Sequence, residues 1–259
     1  MRLIVNGDDF GITHGCNLAL IDCFKKGIMT STSMMTNMPY AQEAARLWKE
    51  NPDLSVGLHF CLTVGKPLTK EYSFIKKDGT FDKAILCQQK GIHLDEIRNE
   101  LQVQYDRFVE LNGCKPDHFN SHHGIEQIPG CGEILEEFSH RYDIPLRAFL
   151  NREDWAEYDT SFEGCPIRLI RNSAAKGPIA PEDLIALFEM EDLESDRAYE
   201  LAAHPGYVDY DLLQLSSLTN GRAYDAYNFM SEQLKDWIDE NKIQRITFRD
   251  LKRSSGSHR

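Results

Sequence analysis

The sequence has few features that would tie it to a membrane, to nucleic acid or to export. No run of 18 apolar residues occurs, and the first ten residues lack a basic region followed by an apolar stretch, so we expect neither membrane insertion nor secretion. Lysine and arginine total 29 against 41 acidic residues, a formal charge of -12. Because nucleic-acid-binding proteins need clustered cations to displace counterions, this charge argues against that class. We therefore expect a cytoplasmic location.

Paired cysteines and several well-known catalytic motifs are also absent. The seven cysteines are odd in number and none forms a CxxC pair, which favours buried free thiols over zinc-knuckle or redox chemistry. The sequence contains no GxSxG, GxxxxGK[ST], GxGxxG or HExxH. Nucleophile-elbow, P-loop, dinucleotide-binding and HExxH metalloprotease sites are therefore not predicted.

Strand-like and helix-like segments alternate along the chain. Several of the strand-like segments are apolar on both faces, as parallel strands covered by helices are. Residues 94–108 and 224–238 have apolar positions at helical spacing. With 259 residues and no linker-like break, this alternation predicts a single-domain α/β fold, a (β/α) barrel that is either complete or a distorted, incomplete TIM-like barrel. The predicted strands are residues 3–5, 31–35, 54–62, 118–121, 145–150, 167–170, 199–203 and 243–248.

Ionisable side chains stand at the carboxyl ends of four of these strands. They are Asp8, Asp9, His59, the pair His122 and His123, and His204. In a parallel α/β sheet or barrel those ends converge on the face where ligands bind, so these distant residues are expected to meet.

A carboxylate and two imidazoles around one point can hold a divalent metal ion and leave positions open for water. Zn²⁺ sites of catalytic type have this composition, and Mn²⁺, Co²⁺, Fe²⁺ or Mg²⁺ could also fit. A cation would also explain why Asp8 and Asp9 are adjacent after a buried strand, where two negative charges repel each other. Because strand side chains alternate, one aspartate could bind the ion while its neighbour acts as a base.

Simpler interpretations of these residues remain open. An Asp pair after a strand can be a turn or a helix cap, and a lone histidine can be an ordinary polar residue. His93 and Asp95 match the HxD of an iron oxygenase, but they open an amphipathic helix, where Asp95 can serve as an N-terminal cap.

The chain resembles the YdjC-like carbohydrate deacetylases, the family that includes chitooligosaccharide deacetylase. The resemblance is carried, in family order, by VNGDDFGITHGCNLAL, KGIMTSTSMMTN, VGLHFCLTVGKPL, KPDHFNSHH, IPLRA and HPGYVD. It implies one carbohydrate deacetylase-like α/β domain over residues 1–253, followed by a polar tail at 254–259.

The resemblance also implies roles for individual residues. By position, the family's metal ligands fall on Asp9, His59 and His122. Asp8 looks like the catalytic base, and His204 resembles the general-acid histidine of the related polysaccharide deacetylases. Arg147 is similar in placement to an arginine that orients the base there. The implied cofactor is a divalent metal, Mg²⁺ or Zn²⁺ first and Mn²⁺ or Co²⁺ as alternatives.

The implied reaction is hydrolysis of an N-acetyl group on a small acetylated sugar of the chitooligosaccharide or diacetylchitobiose type, which releases acetate. Two rivals stay open at this point, a metal-dependent hydrolase of another amide or ester and a non-catalytic sugar-binding protein. A homodimer is also left open. Candidates for sugar contact in the long segment 64–91 are Tyr72, Phe74 and Phe81, for which ordinary loop packing is the alternative.

The sequence departs from the family at one segment. Members commonly read DSHHHVH, whereas this chain reads NSHHGIEQ, so Asn120 replaces an aspartate while Gly124 and Gln127 replace histidines. Residues that hydrogen-bond to metal ligands tune ligand basicity, so metal identity and sugar preference are expected to differ from those of better-known members.

Overall fold

The computed structural model describes residues 1–69, 72–88, 93–147, 162–163, 168–171, 179–190 and 198–253. The tail at 254–259 and half of the predicted strand 145–150, residues 148–150, lie outside these ranges. The expected extent of the domain, residues 1–253, stays a prediction.

The centre of the fold is a seven-stranded sheet in which every described pairing is parallel. The described residues form these seven strands and two further ones: β1 (Arg2–Phe10), β2 (Ser31–Met34), β3 (Ser55–Phe60), β4 (Phe119–Ser121), β5 (Phe162–Glu163), β6 (Arg168–Arg171), β7 (Ala198–Ala203), β8 (Gln244–Ile246) and β9 (Lys252–Arg253). The sheet order is β4-β3-β2-β1-β7-β6, with β8 beside the first residues of β1, while β5 and β9 form a separate antiparallel pair. Within the described ranges, β4 and β6 are not joined, so the α/β fold is confirmed as an incomplete barrel.

Helices cover this sheet. They are α1 (His14–Lys26), α2 (Ala41–Lys49), α3 (Lys83–Gln88), α4 (Leu94–Asn112), α5 (Cys131–Tyr142), α6 (Pro181–Met190), α7 (Tyr210–Leu215), α8 (Asn220–Phe229) and α9 (Glu232–Glu240). The core contains apolar side chains of β1 and β3, such as Leu3, Val5 and Leu58, packed against the inner faces of the helices. Burial of this apolar surface is the main favourable term that holds the sheet and helices together.

The sequence predicted α4 well and the C-terminal helix less well. Helix α4 starts at the predicted residue and ends at Gly113, whose φ of 75° suits glycine. Residues 224–238 form two helices, α8 and α9, because the Ser231 side chain accepts a hydrogen bond from the Leu234 N–H and begins a new helix. Tyr224 and Tyr227, two of the apolar positions at helical spacing, are exposed.

No helix in the described part of the chain combines the length and the apolar character needed to cross a bilayer.

Strand β1 has two neighbours along the same edge, and Thr30 lies where they separate. Strand β8 pairs with Arg2–Ile4, whereas β2 pairs with β1 from Asn6 onward. The Thr30 hydroxyl accepts a hydrogen bond from the Val5 N–H at 3.1 Å and donates to the Ile246 carbonyl at 2.7 Å. This single hydroxyl therefore satisfies two backbone groups that the sheet ladder leaves unpaired at the branch.

Replacing Thr30 by valine should destabilise the fold, because the isosteric side chain leaves both backbone groups without this partner. We expect the free energy of unfolding, measured with urea, to fall by about 1–3 kcal/mol. Ser31→Ala is the matched control, since the neighbouring buried hydroxyl has no hydrogen-bond partner among the described residues and its loss should be close to neutral. Equal effects of the two changes would contradict this account of the branch.

Candidate active site

A bulge at the end of β1 sets the direction of both aspartates. The register between β1 and β2 shifts between Gly7 and Phe10, and Asp9 has a φ of 74°, which is unusual for a residue with a side chain. The regular strand alternation expected from the sequence therefore does not hold here. Both carboxylates are buried at the same end of the sheet, and each has its own set of partners.

Asp9, His59 and His122 form one compact group of possible metal ligands. The Oδ1 atom of Asp9 lies 3.1 Å from Nε2 of His59 and 2.9 Å from Nδ1 of His122. All three side chains are buried, and their ligand-type atoms lie within 4.8 Å of one another. No hydrogen bond of normal geometry reaches Asp9 Oδ1 from the described residues. A buried carboxylate oxygen facing two imidazole nitrogens fits a divalent cation of the first transition row.

Asn120 contacts the ring nitrogen of His59 that faces away from Asp9. Its Oδ1 lies 2.7 Å from Nδ1 of His59, and its Nδ2 donates to the Ser33 hydroxyl at 3.0 Å. A cation at Nε2 would leave the imidazole proton on Nδ1, which matches Asn120 Oδ1 as the acceptor. The reversed amide would instead suit a His59 protonated on Nε2. The departure from aspartate at position 120 thus keeps the acceptor oxygen and removes its negative charge.

Asp8 is held by Arg147 through both carboxylate oxygens. Arg147 Nη1 donates to Asp8 Oδ2 and Nη2 donates to Oδ1, each at 2.8 Å, and Asn6 Nδ2 donates to Oδ1 at 2.8 Å. Burial alone would raise the pKa of Asp8, but the Arg147 guanidinium outweighs that effect and holds the pKa far below its usual range. Asp8 is therefore ionised, and the two hydrogen bonds from Arg147 fix the orientation of its carboxylate.

Glu200 is a buried member of this network that the sequence interpretation missed. Arg147 donates to Glu200 Oε1 through Nε at 2.8 Å and through Nη2 at 2.6 Å. The sequence places Glu200 in the predicted strand 199–203 without a functional role, and in the structure it lies in β7 and is fully buried. The available signal was a lone carboxylate inside the apolar stretch YELAA.

Arg222 is the second residue that sequence reasoning missed. Its Nη2 donates to Asp9 Oδ2 at 2.6 Å, and both side chains are buried. Burial by itself would raise the pKa of Asp9, but the neighbouring His122 and Arg222 hold it well below its usual value. No motif surrounds Arg222 in the sequence, so only the packing of α8 against the end of β1 reveals it.

His204 lies at the mouth of the same site, after β7. Its Nε2 is 3.9 Å from Asp8 Oδ2, and its backbone N–H donates to Asp225 Oδ2 at 2.9 Å. The side chain keeps 39% of its surface exposed. Partial desolvation lowers the pKa of His204 to about 4, so the ring is neutral at pH 7.

The remaining sequence candidates lie outside the ligand group. His123 is exposed at the rim, with a φ of 60° and its Nδ1 2.8 Å from the Thr63 hydroxyl. Asp95 lies in the first turn of α4 and pairs with Arg98 at 2.9 Å, which fits a surface helix start and not an iron site. Phe74 and Phe81 are buried against each other, so the loop-packing interpretation is correct for them.

The fold and the site define a class of protein: an α/β barrel with a buried Asp-His-His group, an ionised aspartate clamped by arginine and a histidine at the mouth. The family model described as YdjC-like protein matches residues 2–240. A carbohydrate deacetylase from Clostridium beijerinckii is 33% identical over 97% of this chain and 100% of its own length. A chitooligosaccharide deacetylase from Proteus mirabilis is 33% identical over 96% of this chain and 98% of its own.

A solved structure shares the fold of this chain. A candidate cellobiose-phosphate cleavage protein from Enterococcus faecalis V583 has a TM-score of 0.83 at 26% identity, covering 95% of this chain and 97% of that one. The chain belongs to the YdjC-like family, and the resemblance drawn from the sequence is confirmed.

Replacing Arg147 by methionine should destabilise the protein strongly, because Asp8 and Glu200 stay buried without this guanidinium. We expect the free energy of unfolding at pH 7 to fall by about 3–5 kcal/mol. Asp8 would then have a folded-state pKa above its unfolded value, so the variant gains stability as pH falls towards 5. Urea unfolding at several pH values measures both effects.

The matched control for this change is Arg98→Met, which removes a surface arginine that pairs with Asp95 and Glu137. Because that pair is solvated, the expected loss is at most about 1 kcal/mol with little dependence on pH. If the free energy of unfolding that Arg147→Met loses stays constant from pH 7 to 5, then Asp8 is not a buried carboxylate whose charge Arg147 compensates.

Proposed function

We propose that this chain is a metal-dependent carbohydrate deacetylase that hydrolyses the N-acetyl group of a small chitooligosaccharide or diacetylchitobiose. The observation that carries the proposal is the meeting, at one end of the sheet, of the Asp9-His59-His122 group with the Arg147-clamped Asp8 and with His204. The names of the full-length relatives support the hydrolysis of a C–N amide bond and the sugar class. Breakdown of chitin fragments in the cytoplasm belongs to the same proposal.

The metal would be held by Asp9 Oδ1, His59 Nε2 and His122 Nδ1. Two nitrogen donors and one oxygen favour Zn²⁺ or another first-row ion over Mg²⁺, which prefers oxygen ligands. A divalent ion bound there would lower the pKa of a water molecule and polarise the acetamide carbonyl.

Asp8 accepts a proton from the attacking water in this proposal. Arg147 keeps both of its oxygens fixed and the carboxylate ionised, so the base is ready at neutral pH. Asn6 and Ser33 add hydrogen bonds to Asp8 Oδ1, which leaves Oδ2 as the oxygen nearer His204. In this proposal Oδ2, which faces His204 at the mouth of the site, is therefore the oxygen of Asp8 that accepts the proton.

His204 delivers a proton to the departing nitrogen. Because its ring is neutral at pH 7, it must first receive one, and Asp8 Oδ2 lies 3.9 Å from its Nε2. A single proton can then leave water, rest on Asp8, pass to His204 and reach the amine as the C–N bond breaks. The C–N bond breaks as the new C–O bond is kept, so the products are acetic acid and the free amine of the sugar; the acid then loses the second proton of the water to solvent and leaves as acetate.

Metal-stripped protein should release acetate from N,N′-diacetylchitobiose only after a divalent ion is restored. We expect Zn²⁺, Co²⁺ or Mn²⁺ to restore more activity than Mg²⁺, because of the two nitrogen ligands. Acetate is measured after reconstitution with each ion in turn. Stoichiometric ion binding without acetate from any acetylated amino sugar would favour a hydrolase of another bond or a binding protein, and would remove this proposal.

The variant Asp8→Asn should retain its metal ion and lose turnover. The amide cannot accept the proton from water, so we expect kcat to fall on the order of 10²- to 10⁴-fold. Metal content is measured beside kcat, and Asp95→Asn, on the exposed face of α4, serves as the neutral control. Normal turnover by metal-loaded Asp8→Asn would refute the assignment of Asp8 as base.

A further inference from the structure

We propose that Arg222 is a positioning residue of the metal site: it holds Oδ2 of Asp9 and thereby presents Oδ1 to the space between His59 and His122. The inference rests on the proposed function, since it concerns the affinity of the same metal group. It assigns a role to helix α8, which contributes no residue to the ligand group itself.

Asp9 needs a partner that fixes its side chain. Its φ of 74° and the bulge around it mean that the regular strand ladder does not define the direction of its carboxylate. The two oxygens also have different surroundings. Oδ2 receives the 2.6 Å bond from Arg222, whereas Oδ1 faces the two imidazole nitrogens and has no bond of normal geometry among the described residues. The arginine therefore determines which single oxygen is available for a cation.

Arg222 is itself fixed from three sides. Its Nε donates to the Leu218 carbonyl at 3.0 Å, and its carbonyl accepts a hydrogen bond from the Gly206 N–H at 3.1 Å. A Cβ on Gly206 would lie 3.1 Å from Arg222 Cδ, so the chain after His204 packs directly on the arginine. One turn further along α8, Asp225 accepts the His204 N–H. Helix α8 thus positions the metal ligand and the loop that carries His204 together.

Stability alone does not account for this arginine. A guanidinium buried to this degree loses much hydration, and Nη1 of Arg222 has no hydrogen-bond partner among the described residues. Arg222 compensates the buried charge of Asp9, but the pair as a whole is weak support for a fold, since two apolar side chains of similar volume often serve as well. Its positive charge also opposes a nearby cation. The benefit that fits these facts is the geometry of Asp9.

The test compares Zn²⁺ binding by metal-stripped Arg222→Gln and Arg222→Lys with the unaltered chain, using isothermal titration calorimetry. We expect both variants to bind Zn²⁺ about 10- to 100-fold more weakly, because neither can hold Leu218 and Asp9 together in the fork geometry of arginine. The absorption spectrum of the Co²⁺-loaded proteins should also change, because it reports the geometry of the ligands.

A role through charge alone predicts different results. Removing a positive charge would then tighten Zn²⁺ binding in Arg222→Gln, and Arg222→Lys would bind as the unaltered chain does; either result overturns the proposal. Circular dichroism without metal checks folding. If Arg222→Gln does not fold, Arg222→Lys decides the question, and if neither folds, Arg222 is a folding residue and the proposal is wrong.

Arg249→Gln is the matched control. Arg249 also pairs with an aspartate, Asp117, at 2.8 Å and donates to the Leu54 carbonyl, but it does so before β3 and β4, at the opposite end of the sheet. The Zn²⁺ affinity of the Arg249→Gln variant should equal that of the unaltered chain. An unaltered chain that binds no divalent ion would refute the metal site of the proposed function, whereas tight binding that Arg222 variants preserve would refute this inference alone.

Discussion

Compensation of two adjacent buried negative charges is the constraint on which this structure depends. Asp8 and Asp9 lie in the interior at the end of β1, where each would be protonated or expelled without a partner. Arg147 and Arg222 supply one guanidinium to each. Each aspartate is thus paired by the protein itself, but Arg147 is shared between Asp8 and Glu200, so these three carboxylates and two guanidinium groups together carry one net negative charge. A divalent ion at the proposed site would therefore join carboxylates that already have arginine partners, next to Asp9 Oδ1, which receives no hydrogen bond of normal geometry from the described residues.

The topology explains how the network is assembled. Because the strands run parallel, the residues at their carboxyl ends meet, which brings β1, β3, β4 and β7 to one mouth although they are far apart in sequence. The bulge at Asp9 then breaks the strand alternation, so that neighbouring carboxylates serve two different sets of partners in the same cleft. The site therefore needs both a regular sheet and one irregularity in it.

Several parts of this arrangement could be predicted from the sequence because they have local signals. Apolar strand segments, the apolar spacing of α4 and polar residues directly after strands all depend on near neighbours in the chain. The break between α8 and α9 was missed, because the cap at Ser231 interrupts an apolar pattern that continues on both sides. Glu200 lies within the predicted strand 199–203, but no local pattern shows that it meets Arg147, 53 positions away.

The sequence by itself determined the fold class and the family and singled out the candidate site residues, since those depend on residue type, spacing and strand ends. The tertiary structure alone decided which partner holds each charge. The pairs Arg147–Glu200 and Arg222–Asp9 join residues separated by 53 and 213 positions, and no local pattern encodes such a contact. These pairs form because β7 and α8 pack around the end of β1 and bring the charged side chains together. An unpaired charge buried there would have a large desolvation cost.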